Sequence, residues 1–252
     1  GLADRGIVRV GATVRRPWGR WTPSVHGVLR HLAAVGFRGA PRPLGRDEAG
    51  REVVSYQPGE ESGWRLRAAL QRAEGAFAVG DLARRLRLAL ASYRCPAEAV
   101  WQLAAGAPVA GQQLQHGDLG PWNVLWTGER SVGIIDWDLA GPDDPLTDTA
   151  FAAWFTVPFL DDERAAARGF TRCPLDRQER LDAFCVGAGV ARTELVAAVL
   201  DVQARWRDRI RARSREGREP WVTLRRRGVD QADERDRRWT ARAFAGEIEE
   251  RS

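Results

Sequence analysis

A histidine and three groups that could bind a metal or move a proton lie between His116 and Asp138, in the segment HGDLGPWNVLWTGERSVGIIDWD. Asp118 and Asp136 supply two carboxylates, and Asn123 supplies an amide. A carboxylate can orient a substrate hydroxyl and accept its proton, while carboxylate and amide oxygens can hold Mg²⁺ against nucleotide phosphates. This combination of residue types favours phosphoryl transfer.

Two short apolar runs lie between these polar groups and predict the element that positions them. Residues 124–126 and 132–135 have the length and residue types of buried strands. Between them lies the segment 127–130, in which Gly128 can adopt a positive φ. The pattern therefore predicts a β-hairpin.

The register of this hairpin decides which side chains meet. Pairing of Trp126 with Gly133 would place Asn123 opposite Asp136 at the open end of an antiparallel hairpin. Asp118 lies five residues before Asn123, on the loop that enters the same end. An acid, an amide and a second acid are therefore expected to converge on one small space.

The same residues carry a resemblance to a known family. His116-Gly117-Asp118-x4-Asn123, followed by the segment IIDWD at 134–138, resembles the aminoglycoside phosphotransferase and choline kinase group of kinase-like enzymes. The resemblance implies that Asp118 is the catalytic base and that His116 braces the catalytic loop. It also implies that Asn123 and Asp136 are Mg²⁺ ligands and that ATP is the phosphoryl donor.

The resemblance implies a bilobal, protein-kinase-like α+β fold. A small N-terminal antiparallel sheet with one helix, residues 1–58, would bind the nucleotide. A larger, mainly helical lobe, residues 59–252, would carry catalysis and the substrate. Its helices are predicted independently by apolar residues that recur every three or four positions.

Three residues of the N-terminal lobe are candidate nucleotide contacts. Residues 7–14 alternate in polarity around Gly11 and predict two strands, and Arg16 ends the second strand, where the resemblance places a cation that contacts phosphates. Arg15 is the alternative if the register slips by one residue. Val54 and Tyr56 lie in a further predicted strand, at the position of the family's adenine-binding linker.

The helix predicted over residues 24–35 departs from the kinase pattern. It contains no Glu to pair with the strand cation, and His26 is its nearest polar candidate. A glycine-rich phosphate loop is also missing before the predicted strand. These departures leave room for a second interpretation, a catalytically inactive kinase-like binding or immunity-type protein.

Composition narrows the classes of partner. The net charge of +5 comes from arginines interleaved with acidic residues, which favours a GC-rich genome as its cause, so no nucleic-acid partner is expected. No run of eighteen apolar residues is present, so no membrane partner is expected, and a cytoplasmic location is predicted. Three cysteines without a paired motif predict neither a zinc site nor a disulfide framework.

The expected activity is transfer of the γ-phosphoryl group of ATP to a hydroxyl of a small molecule. Arginine excess in the C-terminal third argues mildly against a polycationic acceptor, and a neutral or anionic hydroxyl compound is equally compatible. A third interpretation takes Asp136-Trp137-Asp138 as the metal motif of a nucleotide-sugar glycosyltransferase, which leaves the Asp118 loop unexplained.

Overall fold

The structure is a computed structural model that describes residues 6–62, 68–104, 106–170 and 174–246. The chain divides into two compact units. The first contains the residues up to Ser62 together with Leu82–Asp148, and the second contains Gly63–Asp81 together with the chain from Thr149 onward. The lobe boundary between residues 58 and 59 stays a prediction.

A four-stranded antiparallel sheet opens the first unit, with strand order β1-β2-β4-β3. Its strands are β1 (Val8–Val10), β2 (Thr13–Arg16), β3 (Pro43–Arg46) and β4 (Glu52–Ser55). Gly11, at φ 59°, makes the turn between β1 and β2, which confirms the two strands predicted there. The register of β2 against β4 places Arg16 directly opposite Glu52.

Helix α1 (Thr22–Ala34) follows this pair of strands. Pro23 lies in its first turn, where no intrahelical N–H is lost. The apolar side chains that recur at helical spacing are all buried, namely Val25, Val28, Leu29 and Leu32. Burial of that face explains why the helix forms where the periodicity predicts it.

The central hairpin consists of β7 (Val124–Thr127) and β8 (Arg130–Ile134), and β5 (Glu60–Glu61) pairs with β7 to make a three-stranded sheet. Strands β6 (Gln113–Gln115) and β9 (Gly141–Asp143) pair with each other. In sequence, β6 precedes the hairpin and β9 follows it. The predicted hairpin is confirmed, and its turn is Gly128-Glu129.

The register predicted for the hairpin is wrong by one residue. Gly133 pairs with Leu125, and the backbone N–H of Ile135 donates to the carbonyl of Asn123 at 2.9 Å. The tight turn pairs Thr127 with Arg130, and a bulge in β8 then adds one residue. Asn123 consequently lies opposite Ile135, and Asp136 follows one residue beyond the paired end.

Helices make up most of the second unit. Part of α2 (Ala73–Leu90) belongs to it, followed by α3 (Thr147–Thr156), α4 (Asp162–Ala167), α5 (Pro174–Ala188), α6 (Arg192–Arg215), α7 (Trp221–Arg226) and α8 (Val229–Ala243). The predicted mainly helical C-terminal part is therefore confirmed. Within the described ranges no single helix is long and apolar enough to cross a membrane, and the one combination that passes by length and composition, 176–188 with 192–215, bends by 98°.

Asp148, in the first turn of α3, holds the loop that precedes the hairpin. Its two carboxylate oxygens accept the backbone N–H groups of His116 at 2.5 Å and Gly117 at 2.8 Å. Gly117 adopts φ 83°, and a Cβ built there would lie 2.1 Å from the carbonyl oxygen of Leu139. A residue with a side chain therefore cannot occupy this turn unless the loop moves away from the residues after Asp136.

This close approach predicts a large difference between two glycine substitutions. Gly117→Ala should lower the free energy of unfolding by about 3 kcal/mol or more, because the methyl group overlaps backbone. Gly128→Ala has a similar left-handed backbone, at φ 58°, with no atom within 4 Å of the added Cβ, and should cost about 1–2 kcal/mol. Urea denaturation of both variants measures the difference, and equal losses would contradict the packing described here.

Two buried carboxylates in the second unit share one guanidinium. Arg164 binds both Asp233 and Asp236, and Asp236 also accepts the indole N–H of Trp154 and the backbone N–H of Asp161, each at 3.0 Å. The second oxygen of Asp233 has no hydrogen-bond partner among the described residues. Burial outweighs the charge of Arg164 and raises the pKa of Asp233 to about 7.

The raised pKa predicts how stability changes with pH. Between the unfolded pKa of 3.8 and about 7, the unfolded chain loses the Asp233 proton while the folded protein keeps it, so this group destabilises the fold progressively as pH rises. In Asp233→Asn that loss is absent. The variant should therefore gain stability relative to the parent protein from about pH 5 to about pH 7, by up to about 1.4 kcal/mol per pH unit. Urea titrations across this range measure the gain, and a constant difference would contradict it.

Candidate active site

Asp118 and Asn123 are brought together by the tight loop that leads into β7. The amide nitrogen of Asn123 donates to the Asp118 carboxylate at 3.0 Å and to the Asp118 carbonyl at 2.8 Å. The indole N–H of Trp122 donates to the same carboxylate oxygen at 3.3 Å. Burial, followed by the nearby charge of Asp136, raises the pKa of Asp118 to about 8. The carboxylate is therefore oriented by neutral donors, which leave its charge unbalanced.

His116 is fully buried and connects this loop to the end of β8. Its Nε2 donates to the carbonyl of Ile135 at 3.0 Å, and its Nδ1 accepts the backbone N–H of Asp118 at 3.3 Å. A carbonyl can only accept and an amide can only donate, so these partners fix one neutral tautomer. Burial lowers the pKa of His116 to about 4, in agreement with a neutral ring. These contacts support the bracing role predicted for His116.

Asp136 occupies an unusual backbone conformation at the end of the hairpin. Its φ of 62° and ψ of 70° are left-handed, and it is the one non-glycine residue with positive φ among those the structure describes. Such a conformation costs on the order of 1–3 kcal/mol, and strained residues of this kind cluster at functional sites. The Asp136 side chain is 57% exposed, with one oxygen 3.7 Å from Nη1 of Arg16.

Asp138 is the second acid after the hairpin, and the kinase-like interpretation of the sequence predicts no role for it. Its Oδ1 accepts the indole N–H of Trp21 at 3.1 Å and lies 3.1 Å from Nη2 of Arg16. Burial raises its pKa, and the positive charge of Arg16 opposes that rise. Asp138 therefore ties the segment after the hairpin to the start of α1 and to β2.

Arg16, predicted as the phosphate contact, is anchored by a residue that sequence reasoning missed. Its Nε donates to Glu52, and the other oxygen of Glu52 is 2.8 Å from Nε2 of His26. The helix carries no Glu to reach the cation directly, and His26 reaches it through Glu52 instead. The sequence signal is Glu52, a charged residue directly before Val53 and Val54 in the predicted strand. Only the β2–β4 register shows that its side chain faces Arg16.

Val54 and Tyr56, the other predicted nucleotide contacts, lie at the end of the sheet. Val54 is buried and pairs with Val14 in β2 and Pro43 in β3. The backbone N–H of Tyr56 donates to the carbonyl of Ala12 at 2.8 Å, so it is already committed to the sheet. A hydrogen bond from Tyr56 to a nucleotide base would therefore have to use its carbonyl oxygen or its side chain. Both nucleotide roles stay predictions.

The donor set at the hairpin fits a hard divalent cation held jointly with phosphates. Within the described ranges no group of three or more His, Cys, Asp or Glu side chains is arranged to hold a metal ion. Magnesium at nucleotide sites is commonly held by one or two carboxylates together with phosphate oxygens, so the smaller set of Asn123 and Asp136 is compatible with such a site. Burial and then the charge of Asp136 raise the pKa of Asp118, and a cation at this site would oppose that rise.

Solved kinase structures resemble this chain in fold. An amicoumacin kinase in complex with AMP-PNP and Ca²⁺ matches with a TM-score of 0.55 and 13% identity, over 79% of this chain and 77% of that one. A choline/ethanolamine kinase family protein from Mesorhizobium loti matches with a TM-score of 0.53 and 19% identity, over 93% and 83%. The GDP complex of an aminoglycoside 2'-phosphotransferase matches with a TM-score of 0.53 and 14% identity, over 92% and 88%. The predicted protein-kinase-like fold is confirmed.

Sequence comparison identifies the family. The model of the phosphotransferase enzyme family matches residues 62–184, which contain the loop 116–123 and Asp136. The trifolitoxin immunity protein of Rhizobium leguminosarum bv. trifolii is 33% identical over 196 residues, which cover 75% of this chain and 72% of that protein. With this identity across most of both chains, and with the kinase-like fold and the hairpin motif, the chain belongs to the phosphotransferase enzyme family.

Proposed function

We propose that this protein transfers the γ-phosphoryl group of ATP to a hydroxyl of a small molecule, with Mg²⁺ as the metal. The observation that carries the proposal is the hydrogen bond between Asn123 and Asp118 at one end of the hairpin, where the charge of Asp136 acts on Asp118 and Arg16 lies 3.7 Å from Asp136. Family membership supports a phosphotransferase. The donor, the metal and the acceptor class go beyond that and are part of the proposal.

Asp118 is the proposed base. Its carboxylate orients the acceptor hydroxyl, and it takes the hydroxyl proton as the new bond between oxygen and the γ-phosphorus forms and the bond to the β-γ bridging oxygen breaks. The donors Asn123 and Trp122 hold the carboxylate in one rotamer, which keeps it aligned for that transfer. ADP and the phosphorylated acceptor are the products.

Positive charge is required where the phosphates lie, and two parts of the site supply it in the proposal. Arg16 presents its outer guanidinium nitrogens on the side of Asp136 and Asp138. Asn123 and Asp136 are the proposed Mg²⁺ ligands. Bound Mg²⁺ would neutralise phosphate charge and align the donor.

The acceptor class is supported by the structural relatives alone. The names of two of them describe kinases of amicoumacin and of an aminoglycoside. Their identities to this chain, 13% and 14%, are too low to transfer a substrate. We therefore propose a small hydroxyl compound without specifying its charge.

A nucleotide and metal panel tests the proposal. ATP with Mg²⁺ should stabilise the protein, by about 2.7 kcal/mol at a hundredfold excess over the dissociation constant, and either one alone should stabilise it less. Asp118→Asn should keep this stabilisation and lose slow ATP hydrolysis by about 10²- to 10⁴-fold. Asp136→Asn should lose the Mg²⁺-dependent part.

Asp201→Asn is a suitable control for this panel, because Asp201 is an exposed residue of α6 that pairs with Arg205 on the surface. Asp201→Asn should match the parent protein in its stabilisation by ATP with Mg²⁺ and in its rate of ATP hydrolysis. A protein that binds neither ATP nor GTP with any divalent metal would overturn the proposal. Stabilisation by a nucleotide sugar with Mn²⁺, and not by ATP, would favour the glycosyltransferase interpretation instead.

The immunity protein relative favours a second candidate function, protection against a toxin by binding without phosphoryl transfer. Expression in a trifolitoxin-sensitive strain separates the two candidates. If protection depends on phosphorylation, Asp118→Asn should abolish it while Asp201→Asn retains it. Equal protection by both variants, at equal protein levels, would favour binding alone.

A further inference from the structure

We propose that Glu52 and His26 together replace the missing helix carboxylate and orient Arg16 toward the nucleotide phosphates. This inference deepens the proposed function and rests on it for the identity of the ligand. Glu52 and His26 are positioning residues here, since both act through Arg16. Neither belongs to the hairpin motif by which the family was identified.

The contacts form a continuous buried chain from the helix to the strand cation. Nε2 of His26 on α1 lies 2.8 Å from Oε1 of Glu52, and Oε2 of Glu52 accepts the Nε–H of Arg16. The side chain of Glu52 is 1% exposed and that of His26 is 3% exposed. Both oxygens of the carboxylate are therefore engaged, and water has almost no access to either bond.

The strand register makes this arrangement possible. Arg16 and Glu52 are cross-strand neighbours in β2 and β4, so their side chains leave the same face of the sheet. Residue His26 lies on the buried face of α1 with Val25 and Leu29. Helix, strand and cation are thus joined through a carboxylate that belongs to the sheet, whereas a kinase helix normally supplies that carboxylate itself.

The shape of arginine explains how Glu52 can position it. Binding at Nε fixes the inner edge of the planar guanidinium, so Nη1 and Nη2 point outward at known angles. These two atoms lie 3.7 Å from Asp136 and 3.1 Å from Asp138. A lysine ammonium at this position would have one nitrogen to share between Glu52 and the phosphates, and it could not divide the two tasks.

The adjacent residue provides a matched control within the same sheet. Arg15 lies next to Arg16 in β2, and its Nη1 pairs with Asp47 at 3.2 Å. Asp47 also accepts from Arg51 at 2.9 Å and has no contact with the hairpin residues among the contacts that the structure describes for it. Asp47→Asn therefore removes the same kind of charge from a neighbouring arginine whose ion pair, among the described residues, is with Asp47 and not with Asp136.

The first test needs no nucleotide. The Nε–Hε resonance of Arg16, identified by its absence in Arg16→Lys, should exchange slowly with water because the bond to Glu52 is buried. Glu52→Gln and His26→Ala should each speed that exchange by about tenfold or more, and His26→Gln, which keeps an N–H donor, should recover part of the protection. Asp47→Asn should leave it unchanged. Equal exchange in Glu52→Gln and in the parent protein would overturn the inference.

The second test measures use of the nucleotide. Glu52→Gln should raise the KM for MgATP by about tenfold, with a smaller change in kcat, while Asp47→Asn changes neither. In an Arg16→Ala background, Glu52→Gln should add almost nothing, because a positioning residue has no effect without the group it positions. Additive losses in the double variant would overturn the inference, since they would show that Glu52 acts independently of Arg16.

The two tests separate failure of this inference from failure of the proposed function. A parent protein that binds no nucleotide would overturn the phosphotransferase proposal and the phosphate role with it. The exchange measurement would still decide whether Glu52 and His26 orient Arg16. A parent protein that binds MgATP, with normal KM and normal exchange in Glu52→Gln, would overturn this inference alone.

Discussion

The guanidinium of Arg16 contacts three carboxylates, Glu52 of β4 and, at the open end of the hairpin, Asp136 and Asp138. Glu52 binds its inner edge, while Asp136 and Asp138 lie 3.7 and 3.1 Å from its outer nitrogens. Buried charges are stable only where other charges or hydrogen bonds compensate them. Burial and the charge of Asp136 raise the pKa of Asp118, and the neutral donors Asn123 and Trp122 offset only part of that rise. These contacts join β2, β4, α1 and the segment after the hairpin.

Much of this arrangement could be predicted from sequence because it depends on local patterns. The apolar face of α1 repeats at three and four residues, and the runs on either side of Gly128 fit only two short strands with a tight turn. The alternating strand that ends at Arg16 and the short loop that carries Asp118 and Asn123 are local patterns, and the roles of these residues come from the family resemblance of those patterns. The structure places Asn123 in contact with Asp118 and Arg16 in contact with Asp136.

The remaining features depend on register and on distant partners, which local patterns do not encode. The bulge in β8 shifts Asn123 from Asp136 to Ile135, and nothing in the residue types of the hairpin distinguishes the two registers. The role of Glu52 follows only from the pairing of β4 with β2, which places Glu52 opposite Arg16. No pattern in the sequence around Trp21 indicates that its indole N–H donates to Asp138, a residue 117 positions away. For Glu52 and Trp21 a contact over a long sequence separation decides the outcome, and for the hairpin the register decides it.

The second unit shows a different use of arginine. Arg164 neutralises buried aspartates, and Arg207 and Arg211 bind Glu234 and Asp230 on α8. A guanidinium forms several directed hydrogen bonds at once, so it suits partly buried pairs between helices better than an ammonium does. These pairs give many of the arginines of this region a structural partner, which accounts for part of a composition that is strongly basic overall.

In the proposed mechanism Asp136 is a Mg²⁺ ligand, so its left-handed conformation would place stability and activity in opposition at a single residue. Glycine would accept its φ of 62° without steric cost, and would also remove the carboxylate from the mouth of the hairpin. Laboratory evolution for thermal tolerance alone would therefore be drawn to glycine at this position, at the expense of turnover. Where selection also requires activity, an acid should be retained at residue 136. The residue found there would then indicate whether catalysis is under selection.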